Sequence, residues 1–296
     1  MRGFGLSELV ATAAESVLFL FAALTQLGDV WFLLVSVTLL YWLGSERLTD
    51  DPRRTGAFLV ALALGGFVLT IGLKSSFALP RPPGAASVTP PAWLPAVAVP
   101  VFRNIATGTG FGFPSGHAIA TTVVYGGLAA LLDVWTRRRR ALVAAALVAL
   151  VSFARIALGV HYLVDVAVGA VVGLLFLGVV LRVADGRPLR MFAITAVVAA
   201  LSAVAAAVGG HPVELRESLA GLSASVGGLF AWHRVGVTDA AVSPPLAAVG
   251  LVVAGGLWVG ARQATAVLPS AVTLVVYATA VALIVAYPRL VAAVRG

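Results

Sequence analysis

From Thr55 to Leu73 the chain runs without a single charged side chain. A helix that is apolar all round for that length fits the hydrocarbon core of a bilayer, which about 20 residues span. Such runs recur along all 296 residues. The pattern predicts about ten apolar helices of roughly 16–22 residues. They fall at residues 8–27, 29–45, 56–76, 117–133, 141–159, 161–182, 191–208, 217–232, 245–262 and 267–287. Only Gly28 and Asp29 divide the first two, and 217–232 is diluted by Gly, Ser and Ala, which leaves a re-entrant form open. With 60% hydrophobic and 11% charged residues, the chain cannot cover a water-facing surface. A soluble enzyme, a disordered protein and a coiled coil are excluded. So is a β-barrel, because the runs do not alternate. The absence of Cys removes disulfides, thiol catalysis and Cys-built metal sites. Glu8 and Glu15 interrupt the first run and no cleavage site follows, so no signal peptide is expected.

The net charge of +8 reads as a topology signal rather than a nucleic-acid surface. Of 20 basic residues, 14 fall in alternate connections: Arg2; Arg47, Arg53 and Arg54; Arg137 to Arg140; Arg182, Arg187 and Arg190; Arg234; Arg289 and Arg295. Positive-inside bias puts that set, and both termini, in the cytoplasm of a multi-pass cell-membrane protein. The Arg137–Arg140 run then reads as a topology anchor, with an anionic-lipid or nucleic-acid site as the weaker alternative. The remaining six, Lys74, Arg81, Arg103, Arg155, Arg216 and Arg262, face outward. So does the longest loop, residues 77–116, with eight Pro between Pro80 and Pro114.

Three outward clusters carry chemistry. Lys74, the only Lys, and Arg81-Pro82 close the third helix. Snorkelling would explain one such cation, but with Arg155 they make a pocket suited to phosphate, which Arg grips bidentately. Pro114-Ser115-Gly116-His117 opens the fourth helix. It is a capping turn at the least, and its free N–H groups and close-approach Gly also suit an anion. Finally, His161 and Asp165 are spaced i, i+4, which predicts a shared helix face. A carboxylate on one imidazole nitrogen leaves the other free as a nucleophile. A structural His–Asp pair is the alternative, although an intramembrane Asp is costly without a function. Together the parts suggest in-line attack by one His, with the second His protonating the leaving oxygen and then activating water.

The series Lys74-x6-Arg81-Pro82, Pro114-Ser115-Gly116-His117 and Arg155-x5-His161-x3-Asp165 resembles the three-part signature of the type 2 phosphatidic acid phosphatase (PAP2) superfamily. The resemblance covers about residues 60–185. It implies an all-α membrane protein with a six-helix PAP2-type transmembrane core over residues 1–186. Residues 187–296 then add about four C-terminal helices, read as a packing or dimerisation appendage. It further implies that His161 forms a phosphohistidine, that Asp165 orients it, and that His117 serves as general acid and then base. Lys74, Arg81, Ser115, Gly116 and Arg155 bind the phosphate, and no metal or other cofactor is needed. The third motif usually begins Ser-Arg, whereas Ala154 precedes Arg155 here.

The expected activity is hydrolysis of a lipid phosphate or polyprenyl diphosphate at the extracytoplasmic face, with a sugar phosphate also open. Membrane lipids are the expected surroundings, nucleic acid is not an expected partner, and homo-oligomerisation stays open. A lipid phosphotransferase using the same intermediate, or a non-catalytic lipid transporter or scaffold, are the alternatives. Arg103 reads as a substrate contact or a solvated loop residue. Gln26 and Asp29 shape an entrance or cap the second helix. His211 with Glu214 and Glu217 is a weak metal candidate, and His233-Arg234 a cytoplasmic loop pair. Gly169-x3-Gly173 and Gly256-x3-Gly260 suggest close helix packing.

Overall fold

The computed structural model describes residues 15–237, 241–264 and 270–295. These residues form helices and no strand. In chain order they are α1 (Glu15–Thr25), α2 (Val30–Leu43), α3 (Pro52–Phe77), α4 (Val99–Ala106), α5 (Gly116–Leu131), α6 (Arg137–Ala157), α7 (Leu163–Ala184), α8 (Pro188–Val208), α9 (Pro212–Val235), α10 (Pro244–Ala264) and α11 (Ser270–Arg295). Residues 8–14 and 267–269 of the predicted first and last helices lie outside the described residues. The expected plan of a six-helix core, here α1–α3 and α5–α7, followed by four further helices, α8–α11, is present.

The ends of α3 follow from local chemistry. The Asp51 carboxylate accepts from the Arg54 N–H at 2.9 Å, Pro52 occupies the first turn, and Ala78 closes the helix in the left-handed region. This helix is the central strut. It packs against α2 and α5 on one side and against α8 and α9 on the other. Two polar side chains of α8 hydrogen-bond to α3: Ser202 donates to the Val68 carbonyl at 2.8 Å and Thr195 to the Ala61 carbonyl at 3.0 Å. Gly169 and Gly173 let α7 approach α5. A Cβ at Gly169 would lie 2.8 Å from the Ser115 carbonyl oxygen, and one at Gly173 would lie 2.8 Å from Thr122 Cβ.

Several boundaries differ from the sequence expectations. Among the described residues six helices are long and apolar enough to cross a membrane, or seven if the pair α1 and α2, bent by 46°, is one span. Each of the ten predicted apolar helices has a counterpart, α1–α3 and α5–α11, although not every one meets that length and hydropathy test by itself. Residues 217–232 belong to a continuous helix, α9, and are not re-entrant. Their Gly, Ser and Ala content reflects interior packing, because Gly227 meets the Ala278 backbone and Gly228 the Phe192 ring. Gly256 and Gly260 do not pack closely, since no described atom lies within 4 Å of either added Cβ. The buried face of α10 is instead Ala247, Gly250, Ala254 and Ala261. The 77–116 loop contains a helix of its own, α4, with Pro100 in its first turn. His233 and Arg234 lie in the last turn of α9 rather than in a loop.

The outer surfaces are apolar. Val171, Leu174, Leu175 and Val179 on α7 and Val197, Leu201 and Val204 on α8 are exposed, as lipid-facing side chains must be. Trp31 and Trp93 are exposed towards one end of the bundle and Trp135 at the other, the arrangement of interfacial aromatic belts. This is a multi-pass membrane protein.

Candidate active site

All three motif clusters meet at one end of the bundle. Lys74 lies in the last turn of α3. Beyond it the chain extends through Pro80 and Pro82, which bracket Arg81 and carry its guanidinium inward. Arg81 Nε donates to the Thr109 carbonyl at 2.9 Å and Nη1 to the Val160 carbonyl at 3.0 Å. Nη1 also lies 3.1 Å from His161 Nε2. Two glycines of the turn around this side chain leave room for it. A Cβ at Gly108 would stand 2.7 Å from Nη1, and one at Gly112 would stand 3.0 Å from Arg81 Cα.

Arg81 fixes the protonation of His161. A guanidinium has five donors and no acceptor, so Nε2 presents its lone pair and the imidazole proton sits on Nδ1. There the Asp165 carboxylate oxygen Oδ2 is 3.4 Å away. Oδ2 also accepts the Tyr162 backbone N–H at 2.9 Å. His161 and Asp165 are both buried. They do not share a helix face as the i, i+4 spacing predicts. Helix α7 starts at Leu163, so His161 precedes it and Asp165 is its third residue, reaching back over the N-terminus. The pairing survives because an acidic residue in the first turn caps the free N–H groups of the helix. Burial, then the charges of Arg81, Arg155 and Lys74, hold the His161 imidazole well below its usual pKa. It is therefore neutral around pH 7.

Ser115 caps α5, accepting from the Ala118 N–H at 3.5 Å, and its own N–H donates to the Asp165 carbonyl at 2.9 Å. That bond ties the second motif to the third. Gly116 sits where a Cβ would come 2.8 Å from Thr70 Cγ2 on α3. One residue later His117 is half-buried, and its Nε2, itself out of contact with solvent, has no hydrogen-bond partner among the described residues. Arg155, 4% exposed, points Nη1 at the Ile105 carbonyl at 3.5 Å, while its Nε is likewise unpartnered. Buried donors and acceptors of this kind are costly unless something fills the site. Ala154, where the resemblance leads one to expect Ser, is fully buried beside it.

The candidate site thus gathers two imidazoles, one carboxylate and three cations at one end of the bundle. Asp29 acts electrostatically on Arg155, while Gln26 accepts from Trp31 Nε1 at 3.1 Å. Asp29 precedes α2 without a side-chain capping bond. On the loop side of Arg81 a cavity of about 340 Å³ is lined by Pro82, Ser87, Gly108 and Thr109. A second cavity of about 430 Å³ shares Ala86 and Ser87 with it and reaches the exposed Arg103, with Asn104 and Thr107. Among the described residues no three His, Cys, Asp or Glu side chains converge on a metal site, at His211 or elsewhere.

The sequence reading missed Gly108, Gly112 and the carbonyls of Thr109, Val160 and Ile105. The glycines sit in a Gly-rich stretch, Gly108 to Gly112, a composition that favours a turn but does not say what the turn encloses. Backbone carbonyls leave no signal in a sequence. In comparison with known protein families, residues 54–189 match the PAP2 superfamily. No curated protein and no solved structure matches the chain.

Proposed function

We propose that this chain, whose residues 54–189 belong to the PAP2 superfamily, is a membrane phosphatase that hydrolyses a lipid phosphate or polyprenyl diphosphate through a phosphohistidine. Family membership supports a phosphatase acting on phosphate esters. The observation that carries the finer reading is the hydrogen-bond line Arg81–His161–Asp165, in which the Nε2 lone pair meets a phosphate-gripping cation. A phosphoryl group entering between them accepts from Arg81, Arg155, Lys74 and the N–H groups opening α5. Its charge spreads over oxygens that already face donors.

In the first half-reaction, Nε2 of His161 forms a bond to phosphorus and the bond to the leaving oxygen breaks. His117, in its protonated form, gives that oxygen a proton. Asp165 stabilises the positive charge developing on the phosphorylated ring. In the second half, His117 removes a proton from water, which attacks phosphorus, and the P–N bond breaks to return His161 and inorganic phosphate. General acid–base catalysis of this kind contributes about 10²–10⁴-fold. The three cations neutralise the phosphate, so the reaction needs no metal cofactor. Attack by an alcohol in place of water would make the same intermediate a phosphotransferase.

A lipid substrate suits a site at the end of an apolar bundle, with the phosphate at the interface and the chain in the bilayer. The bias of basic residues puts the termini in the cytoplasm and the site on the extracytoplasmic face. The decisive test is phosphate release by purified protein in detergent with EDTA present. The panel contains phosphatidic acid, a polyprenyl diphosphate, a glycerophospholipid phosphate and glucose 6-phosphate, each beside His161→Ala. Release that survives EDTA and is absent from the variant is expected, and release retained by the variant refutes the nucleophile. Because the chain has no Cys, one Cys at Asn104 reports sidedness. Labelling of intact cells by an impermeant maleimide is expected, and labelling only after lysis inverts the topology.

A further inference from the structure

The helices that follow the family segment are not remote from the site. Gly209 and Gly210 end α8, and the chain turns at His211 into α9. Helix α9 packs along α3, with Gly221 against Val68. Its first turn thereby arrives at the same end as Lys74. There the His211 ring meets the Phe111 ring edge to face, with centroids 4.7 Å apart. Glu214 Oε1 lies 3.9 Å from where a Cβ on Gly110 would sit. Phe111 and Gly110 belong to the turn that closes on Arg81 through Gly108, Thr109 and Gly112. Lys74 in turn feels the charges of Glu217 and Glu214. A side chain from outside residues 54–189 therefore touches the segment that keeps a phosphate-gripping cation in place.

We propose that His211 is a positioning residue of the phosphate site. Through its ring contact with Phe111 it holds the 108–112 turn closed around Arg81, so that the helices after residue 187 complete the site. The inference rests on the phosphatase reading for its purpose, but not for its test. The role requires an aromatic ring and not an imidazole nitrogen. Edge-to-face contacts contribute modestly, so loosening the turn should weaken phosphate binding by roughly three- to tenfold.

The experiment titrates inorganic phosphate into the full chain in detergent and reads its Kd by calorimetry, which needs no turnover. His211→Ala and Phe111→Ala are each expected to weaken binding three- to tenfold by the same route. The double variant should then be no worse than either single one, and His211→Phe should stay within twofold of the unchanged protein. If His211→Ala does not fold, Phe111→Leu removes the ring while keeping bulk, and the same loss is expected. An unchanged Kd in the Ala or Leu variants overturns the proposal, as do additive losses or a His211→Phe variant as weak as His211→Ala. If phosphate binds with the expected dependence but no ester is hydrolysed, the phosphatase reading falls alone. Hydrolysis with an unchanged Kd in the variants removes only the role of His211, and a full chain that binds no phosphate refutes both.

Discussion

Replacing Gly108 by Ala tests the site with one methyl group. Gly108 does not adopt a positive φ, so its backbone accepts Ala without strain. The new Cβ, however, would lie 2.7 Å from Arg81 Nη1, 2.8 Å from Cζ and 3.1 Å from Nε. Ordinary contact begins near 3.4 Å, so the guanidinium must retreat by about 0.7 Å. Its bonds to Thr109, Val160 and His161 are 2.9–3.1 Å long, and that retreat carries at least one beyond hydrogen-bonding range. A hydrogen bond involving a charged group contributes about 1.5–3 kcal/mol. At about 1.4 kcal/mol per factor of ten, kcat/KM should fall roughly 10- to 100-fold. Stability should change far less, because Ala restricts the unfolded chain by about 0.4–1 kcal/mol and offsets part of the lost bonding. The assay is phosphate release from the best substrate of the panel, with thermal unfolding in the same detergent. A kcat/KM within twofold of the unchanged protein would refute the claim that Arg81 is held by contact at Gly108. A parallel collapse of stability would show instead that the turn is structural.

Three further outcomes follow from the same geometry. A rapid quench of the enzyme with 32P-labelled substrate should trap an acid-labile, base-stable phosphoenzyme that His161→Ala lacks, and an acid-stable adduct would point to a different nucleophile. The His161 imidazole, its pKa lowered by burial and three cations, should titrate by side-chain NMR below the ordinary value of about 6.5. It stays neutral as pH falls through 6.5 and protonates only further down, so a midpoint at or above 6.5 contradicts the described environment. Gly227→Ala should destabilise by about 1–3 kcal/mol because its Cβ meets the Ala278 backbone, whereas Gly256→Ala, with open space around it, should be neutral or slightly stabilising in the same melt.

The clustering of the candidate site was legible where side chains recur at short spacing. Lys74, Arg81, Ser115, His117, Arg155, His161 and Asp165 were all named from the sequence, and the fold brings them to one end of the bundle. What the sequence concealed is how they are held. His161 and Asp165 looked like two residues on a helix face because spacing alone does not reveal that the helix begins between them. The Gly-x3-Gly patterns at 169 and 256 are alike in sequence, yet only the first faces a neighbour, since packing direction depends on the rest of the bundle. Dilution of 217–232 by small residues looked like weakness and proved to be close packing. The meeting of His211 with Phe111 joins residues 100 positions apart, and no local pattern encodes it.

The hydrogen bond from Arg81 to His161 bears on selectivity under the proposed mechanism. Under that mechanism, the lone pair that would attack phosphorus is the one that faces the Arg81 guanidinium, and the ring around it is buried. An uncharged electrophile has nothing to offer the guanidinium in exchange and meets a shielded nitrogen. An anion can trade places with the imidazole, drawing the guanidinium onto its own oxygens and uncovering the lone pair as it docks. On that reading the charge of the visitor would switch reactivity on, and the histidine would be shielded from chance modification between encounters.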